Sequence, residues 1–153
     1  MIHHLSIAAQ DPRRVAGVIA ELWRGRAQPF PPVGEGSWVA IAGDARNTTI
    51  EVYPFGCELQ PVEGDADAHA VVNPRPPAFT ATHAAVASPL GEAEVFAIAR
   101  REAWEAKYRK RGGLFGVIEL WLENRVLIEV LTAEMQAEYV SIRIPGGPAP
   151  PAS

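Results

Sequence analysis

One cysteine, Cys57, stands in a chain of 153 residues. That excludes an intrachain disulfide framework and any cluster of thiolate metal ligands. Positive charge is in deficit: 14 Lys and Arg face 18 Asp and Glu, for a formal net charge of -4. Nucleic-acid binders usually carry a basic face and anionic membranes attract basic ones, so neither partner is expected. No apolar run approaches the roughly 20 residues that span a bilayer. The opening Met1-Ile2-His3-His4-Leu5-Ser6 has no basic segment running into a long apolar one, so no signal peptide is expected either. With 48% hydrophobic and 21% charged residues, wholesale disorder is excluded. The expectation is a small, cytoplasmic, mildly acidic globular protein.

Proline is what the chain has in plenty: 14, beside 13 glycines. Five lie between Pro54 and Pro77, three at Pro29, Pro31 and Pro32, and four at Pro145, Pro148, Pro150 and Pro151. Lacking an N–H, proline is excluded from helix interiors and central strands, so these clusters mark connections. The middle cluster divides the chain into residues 1–53, a Pro/Gly-rich linker over 54–79, and residues 80–132. A C-terminal helix over 133–143 and a flexible tail over 144–153 complete the expected order. Pro12 and Pro89 stand apart, each behind an N-cap candidate, Asp11 and Ser88, and each placed to begin a helix.

The two halves repeat one pattern. Each opens on a β-prone segment headed by histidine, His4-Leu5-Ser6-Ile7-Ala8-Ala9 and His83-Ala84-Ala85-Val86-Ala87-Ser88. Helical spacing follows, through Val15, Val18, Ile19 and Leu22 to a stop at Gly25, and through Val95, Ile98, Ala99 and Ala103. Two strands joined by a polar turn close each half, ending in Thr48–Tyr53 and Val126–Leu131, the second pair turning at Glu123-Asn124-Arg125. An extra strand is plausible over Glu105–Lys110, whereas Ala27-Gln28-Pro29-Phe30 is a poor counterpart eroded by proline. The interval from His4 to Glu51 is 47 residues and that from His83 to Glu129 is 46.

Strand alternation decides where these residues point. Leu5, Ile7, Ile50 and Val52 form an apolar face in the first half, and Ala84, Val86, Ile128 and Val130 in the second, each set to bury against its own helix. The opposite faces carry His4 and Glu51, and His83 and Glu129, with Ser6, Ala8, Ala85 and Ala87 leaving room. Two imidazoles and two carboxylates converging on one cavity form a ligand set suited to a divalent transition metal.

In element order and in these four positions the chain resembles the vicinal oxygen chelate superfamily, the glyoxalase/bleomycin-resistance/dioxygenase fold, over roughly residues 2–132. The resemblance implies an α+β fold of two tandem βαβββ modules whose curved mixed sheets enclose a metal and substrate cavity. It makes His4, Glu51, His83 and Glu129 the metal ligands, a complete set most like that of glyoxalase I. It implies one divalent metal (Zn, Ni, Co or Mn, with Fe a poorer fit), no organic cofactor, and a homodimer. The implied function is a metal-dependent lyase or isomerase that polarises a small oxygen-chelating substrate, with Glu129 or Glu51 moving the proton. A non-catalytic small-molecule or antibiotic-binding protein is the alternative, and an extradiol-type dioxygenase the third reading.

Trp38 and Tyr53 are weaker candidates for lining the cavity. Trp38 is chosen because it alternates with Val39 and Ile41. Arg109, in the run Lys107-Tyr108-Arg109-Lys110-Arg111, could hold an anionic substrate, although such a run more often protects an edge strand. Trp121 shares a face with Phe115, Val117 and Glu119, while Trp23 and Trp104 belong to the core. His3 is read as a surface or packing residue, His69 as a solvated linker residue, and Cys57 as an inert thiol.

Overall fold

A computed structural model describes residues 2–32 and 34–142. The chain divides into two compact units, residues 1–81 and residues 82 onward. The expected tail and the last residue of the expected terminal helix lie outside the described residues.

The first module runs β1 (His4–Ala9), α1 (Pro12–Trp23), β2 (Arg26–Pro29), β3 (Trp38–Ile41) and β4 (Thr49–Pro54), and its sheet has the order β1-β4-β3-β2. β1 pairs with β4 in parallel, and the other neighbours are antiparallel. α1 starts as its sequence dictates: Asp11 caps it by accepting from the Arg14 N–H at 3.0 Å, with proline at the first position. Val15, Val18, Ile19 and Leu22 bury its inner face. The helix ends on Arg24 in the left-handed conformation. Gly25 follows, and a Cβ there would stand 2.1 Å from the Ile41 carbonyl oxygen, so glycine is required by close backbone approach. The strand thought to be eroded by proline exists: Arg26–Pro29 pairs with β3, and Pro29 is its last residue.

The residues expected to be a plain linker hold a further hairpin, β5 (Cys57–Gln60) and β6 (His69–Val72), so His69 lies on an exposed strand and not in a loop. The prolines in this stretch all lie outside the residues that pair in this hairpin.

The second module repeats the order: β7 (Ala84–Ala87), α2 (Glu92–Glu102), β8 (Ala106–Arg111), β9 (Phe115–Leu122) and β10 (Val126–Leu131), sheet order β7-β10-β9-β8. Again the first and last strands are parallel neighbours. α2 begins later than the Ser88-Pro89 pair suggested. Gly91 is its N-cap and Glu94 reaches back to accept from the Gly91 N–H at 2.8 Å. Ser88 instead accepts from the Leu90 N–H. The β9–β10 turn is tight, with Glu123 and Asn124 both at positive φ. The Asn124 side chain accepts from the Glu105 N–H at 2.7 Å and donates to the Ala103 carbonyl at 3.2 Å, tying the hairpin to the end of α2. α3 (Ala133–Ser141) follows, and Phe115 meets its Tyr139 edge-on.

The paired βαβββ arrangement with mixed sheets is therefore present, one module in each unit. Among the described residues no helix is long and apolar enough to cross a membrane.

Candidate functional site

In the first module the parallel register sets Ser6 opposite Glu51 and Ala8 opposite Tyr53. His4, two residues before Ser6, shares their face because strand side chains alternate. His4 is exposed, Glu51 half-buried and Tyr53 buried. Glu51 Oε2 accepts two hydroxyls: Tyr53 at 2.5 Å and Ser6 at 3.0 Å. Burial pushes the Tyr53 phenol above its ordinary 10.0, and its bond to the Glu51 carboxylate adds to the rise. Tyr53 is thus a proton-bearing donor fixed on a carboxylate.

The second module has the same frame. Glu129 is in register with Ala85 on one side and Glu119 on the other. His83 lies two residues before Ala85, just as His4 lies two before Ser6. It is exposed and sits one residue ahead of β7.

The partners of the two glutamates differ. Glu129, only 8% exposed, receives Arg111: Nε donates to Oε1 at 3.0 Å and an Nη2 hydrogen bond reaches the same oxygen. Arg111 Nη2 also donates to Glu119 Oε1 at 2.8 Å, and Arg109 lies 3.6 Å from Glu119 Oε2. The register explains the cluster. Lys107 pairs with Glu119, so Lys107, Arg109 and Arg111 alternate onto the Glu119 and Glu129 face. The hydrogen bond to Glu129 raises the Arg111 guanidinium still further above its already high ordinary value, with Glu119 adding to the effect, so it is a permanent cation here. The sequence presented Arg111 only as the end of a basic run and Glu119 only as a neighbour of Trp121. Their acid–base alternation on facing strands was the signal that could have joined them.

Of the weaker candidates, Tyr53 lies on the Glu51 face and Arg109 on the Glu129 face. Trp38 requires a correction. It is in register with Val52, on the α1 side of the sheet, and Arg13 of α1 stands 5.5 Å over its ring. Val39, and not Trp38, shares the face of Glu51. Cys57, in β5, has its thiol pushed up by burial, in keeping with an unreactive side chain. His3 Nδ1–H donates to the Arg46 carbonyl at 3.1 Å, a structural contact of the β3–β4 loop.

Among the described residues no group of three or more His, Cys, Asp or Glu is arranged to hold a metal ion. What each module offers is a His–Glu pair on one sheet face. The donors, neutral imidazole and carboxylate, suit a divalent transition cation in kind. Among the described residues Glu51 meets the hydroxyls of Ser6 and Tyr53, whereas Glu129 already holds a guanidinium.

No protein-family model matches the chain, and no curated protein matches it. Among solved structures, an integron cassette protein from the mobile metagenome of V. cholerae aligns with a TM-score of 0.50 at 15% identity, covering 87% of this chain and 94% of that one. The likeness is one of fold. Weaker matches include the oxidase ChaP-H1, with a TM-score of 0.49 at 15% identity over 96% of this chain and 98% of that one. The trypanothione-dependent glyoxalase I of Leishmania major gives 0.48 at 16% identity over 92% of each chain. The tandem βαβββ modules are the fold that the resemblance to the vicinal oxygen chelate superfamily implies.

Proposed function

We propose that the chain is a metal-dependent lyase or isomerase of the vicinal oxygen chelate type, acting on a small oxygen-chelating substrate. One observation carries the reading. In both modules the histidine lies two residues before the register partner of the glutamate, at the head of a strand that runs parallel to the glutamate's own. A pair needed only for packing has no reason to recur at the same offset when its surroundings differ this much. In this reading His4 and Glu51 of the first module, and His83 and Glu129 of the second, are ligands for a divalent cation. When bound, such an ion supplies Lewis-acid polarisation of a substrate oxygen.

The chain's own groups do the rest. Ser6 and Tyr53 fix the rotamer of Glu51, so its carboxylate is already oriented when substrate arrives. Glu51 and Glu129 are the proton carriers between adjacent substrate carbons. Arg109, exposed on the Glu129 face, is placed to meet an anionic substituent. The proposal includes a homodimer, which the superfamily resemblance supports.

A second reading has its own observation. The Arg111 guanidinium neutralises Glu129, as suits a non-catalytic small-molecule-binding protein that has given up half of a metal set.

Elemental analysis of the purified chain after loading with Zn²⁺, Ni²⁺, Co²⁺ or Mn²⁺ separates the two. The enzyme reading expects about one ion per chain, lost in His83→Ala and in His4→Ala. Absence of stoichiometric metal from the loaded native chain supports the binding protein. Metal that survives both substitutions overturns the ligand assignment.

A further inference from the structure

Acid and base on the second module's sheet do not lie at one depth. Lys107, Arg109 and Arg111 alternate onto the face of Glu119 and Glu129 from β8, the edge strand, with neighbours about 7 Å apart along it. The side chains of Glu119 and Glu129 are only 16% and 11% exposed, whereas those of Arg109 and Arg111 are 49% and 37% exposed. The carboxylates lie beneath and the guanidiniums above, so whatever approaches this face meets positive charge first.

Glu119 ties the two arginines together. Its Oε1 accepts from Arg111 Nη2 at 2.8 Å, and its Oε2 stands 3.6 Å from Arg109 Nε. Arg111 spends Nε and Nη2 on the two carboxylates, and Arg109 spends one Nη1 N–H on the Tyr108 carbonyl, 3.2 Å away. Among the described residues nothing accepts from Arg111 Nη1 or from Arg109 Nη2. Donors are therefore left over on both guanidiniums, and the planar N–H fork of a guanidinium matches the oxygens of a carboxylate or phosphate. Lys107, on the same face, is held only by Glu105 at 3.5 Å, a surface pair of little strength.

We propose that Arg109 and Arg111 form a recognition site for an oxyanion, the carboxylate or phosphate group of a small molecule, with Glu119 and Glu129 as the buried struts that hold the guanidiniums in place. The inference rests on the small-molecule reading that the lyase and the binding protein share, and it names the group that the molecule carries.

The test is calorimetric titration of the full chain with inorganic phosphate and, separately, with malonate, at an ionic strength fixed with chloride, while NMR spectra follow the arginine Nε–H signals. Saturable binding of at least one of the two is expected, and the one that binds tells which group the site takes. Arg109→Gln should weaken it on the order of tenfold, and Arg109→Lys should recover only part of the loss because the fork is gone. Lys110→Gln removes an equal charge from the opposite face of the same strand and should leave binding unchanged. Circular dichroism of each variant confirms folding. Should Arg109→Gln fail to fold, Arg109→Lys keeps the charge and still tests the fork. Absence of saturable binding by the native chain, native-like binding by a folded Arg109→Gln, or an equal loss in Lys110→Gln overturns the oxyanion site. Elemental analysis of the metal-loaded native chain is read independently. Metal without oxyanion binding overturns this inference and leaves the lyase reading standing, whereas oxyanion binding without metal overturns the lyase and keeps the site.

Discussion

Glu51 and Glu129 occupy the same place in two copies of one module, yet the first is held by a serine and a tyrosine and the second by an arginine. Their backbones are equivalent down to strand order, parallel pairing and register. The difference arises on the strands around them. In the first module β2 is four residues long and ends at Pro29, so no side chain of it extends as far as Arg111 does in the six-residue β8. Tyr53, two residues beyond Glu51, fills the role locally, whereas its counterpart Leu131 carries no hydroxyl. A duplicated frame has kept its carboxylates and replaced what holds them. Equivalence of position therefore does not bring equivalence of charge.

The helix ends show the same divergence and provide the largest test of it. Both helices stop on a left-handed residue, Arg24 or Ala103, and the next position is Gly25 in one module and the buried Trp104 in the other. Trp104→Ala should cost about 3–5 kcal/mol by opening a cavity. Gly25→Ala should cost about 3 kcal/mol by forcing its Cβ against the Ile41 carbonyl. Urea unfolding measures both. A mild Gly25→Ala would mean that β3 can retreat from the end of α1.

Arg111→Met and Tyr53→Phe compare the two carboxylate supports directly. Loss of Arg111 leaves Glu119 and Glu129 facing each other and should cost about 1–2 kcal/mol, a value discounted because the guanidinium is partly exposed. Loss of the Tyr53 hydroxyl should cost about 1 kcal/mol. Added salt should shrink the first cost and leave the second nearly unchanged. If both respond alike, the supports are not ionic and neutral as described.

The smallest effect is in acid. The Thr48 hydroxyl holds the Asp44 carboxyl below its ordinary 3.8, and Lys110 holds Glu138 below 4.5. A carboxyl lowered by folding favours the folded state above its ordinary value. That contribution is lost as pH falls through the lower, folded value. Asp44→Asn in the first module and Glu138→Gln in the second should each flatten the decline in stability below about pH 4.5, the ordinary range of these groups. A chain whose acid decline is unchanged in both variants would place the sensitive carboxylates elsewhere.

Much of this frame is legible in the sequence. Asp11-Pro12 announced α1, the paired β-prone segments announced β1 and β7, and the near-equal His–Glu intervals announced the duplication. What stayed hidden has identifiable physical causes. Trp38 went to the wrong face because Val39 and Ala40 are both buried. Alternation without contrast cannot say which side of a four-residue strand meets the helix. β5 and β6 were concealed because their prolines flank the paired residues and masked two short strands as a linker. α2 starts late because Glu94, three residues on, accepts from the Gly91 N–H, while the Ser88 hydroxyl is taken by the Leu90 N–H. Arg111 eluded the reading because its partners lie 8 and 18 residues away in sequence and are assembled by register alone.

The parallel pairing of each module's first and last strands also governs the order of assembly. A hairpin can zip from its turn, but β1 finds β4 only after the helix and the antiparallel strands between them have folded back. The strand pairing that brings each histidine and glutamate onto one face therefore closes the longest loop of its sheet. Anything that grips both residues acts as a latch on a nearly finished module, slowing the escape of its two ends and leaving the interior steps untouched.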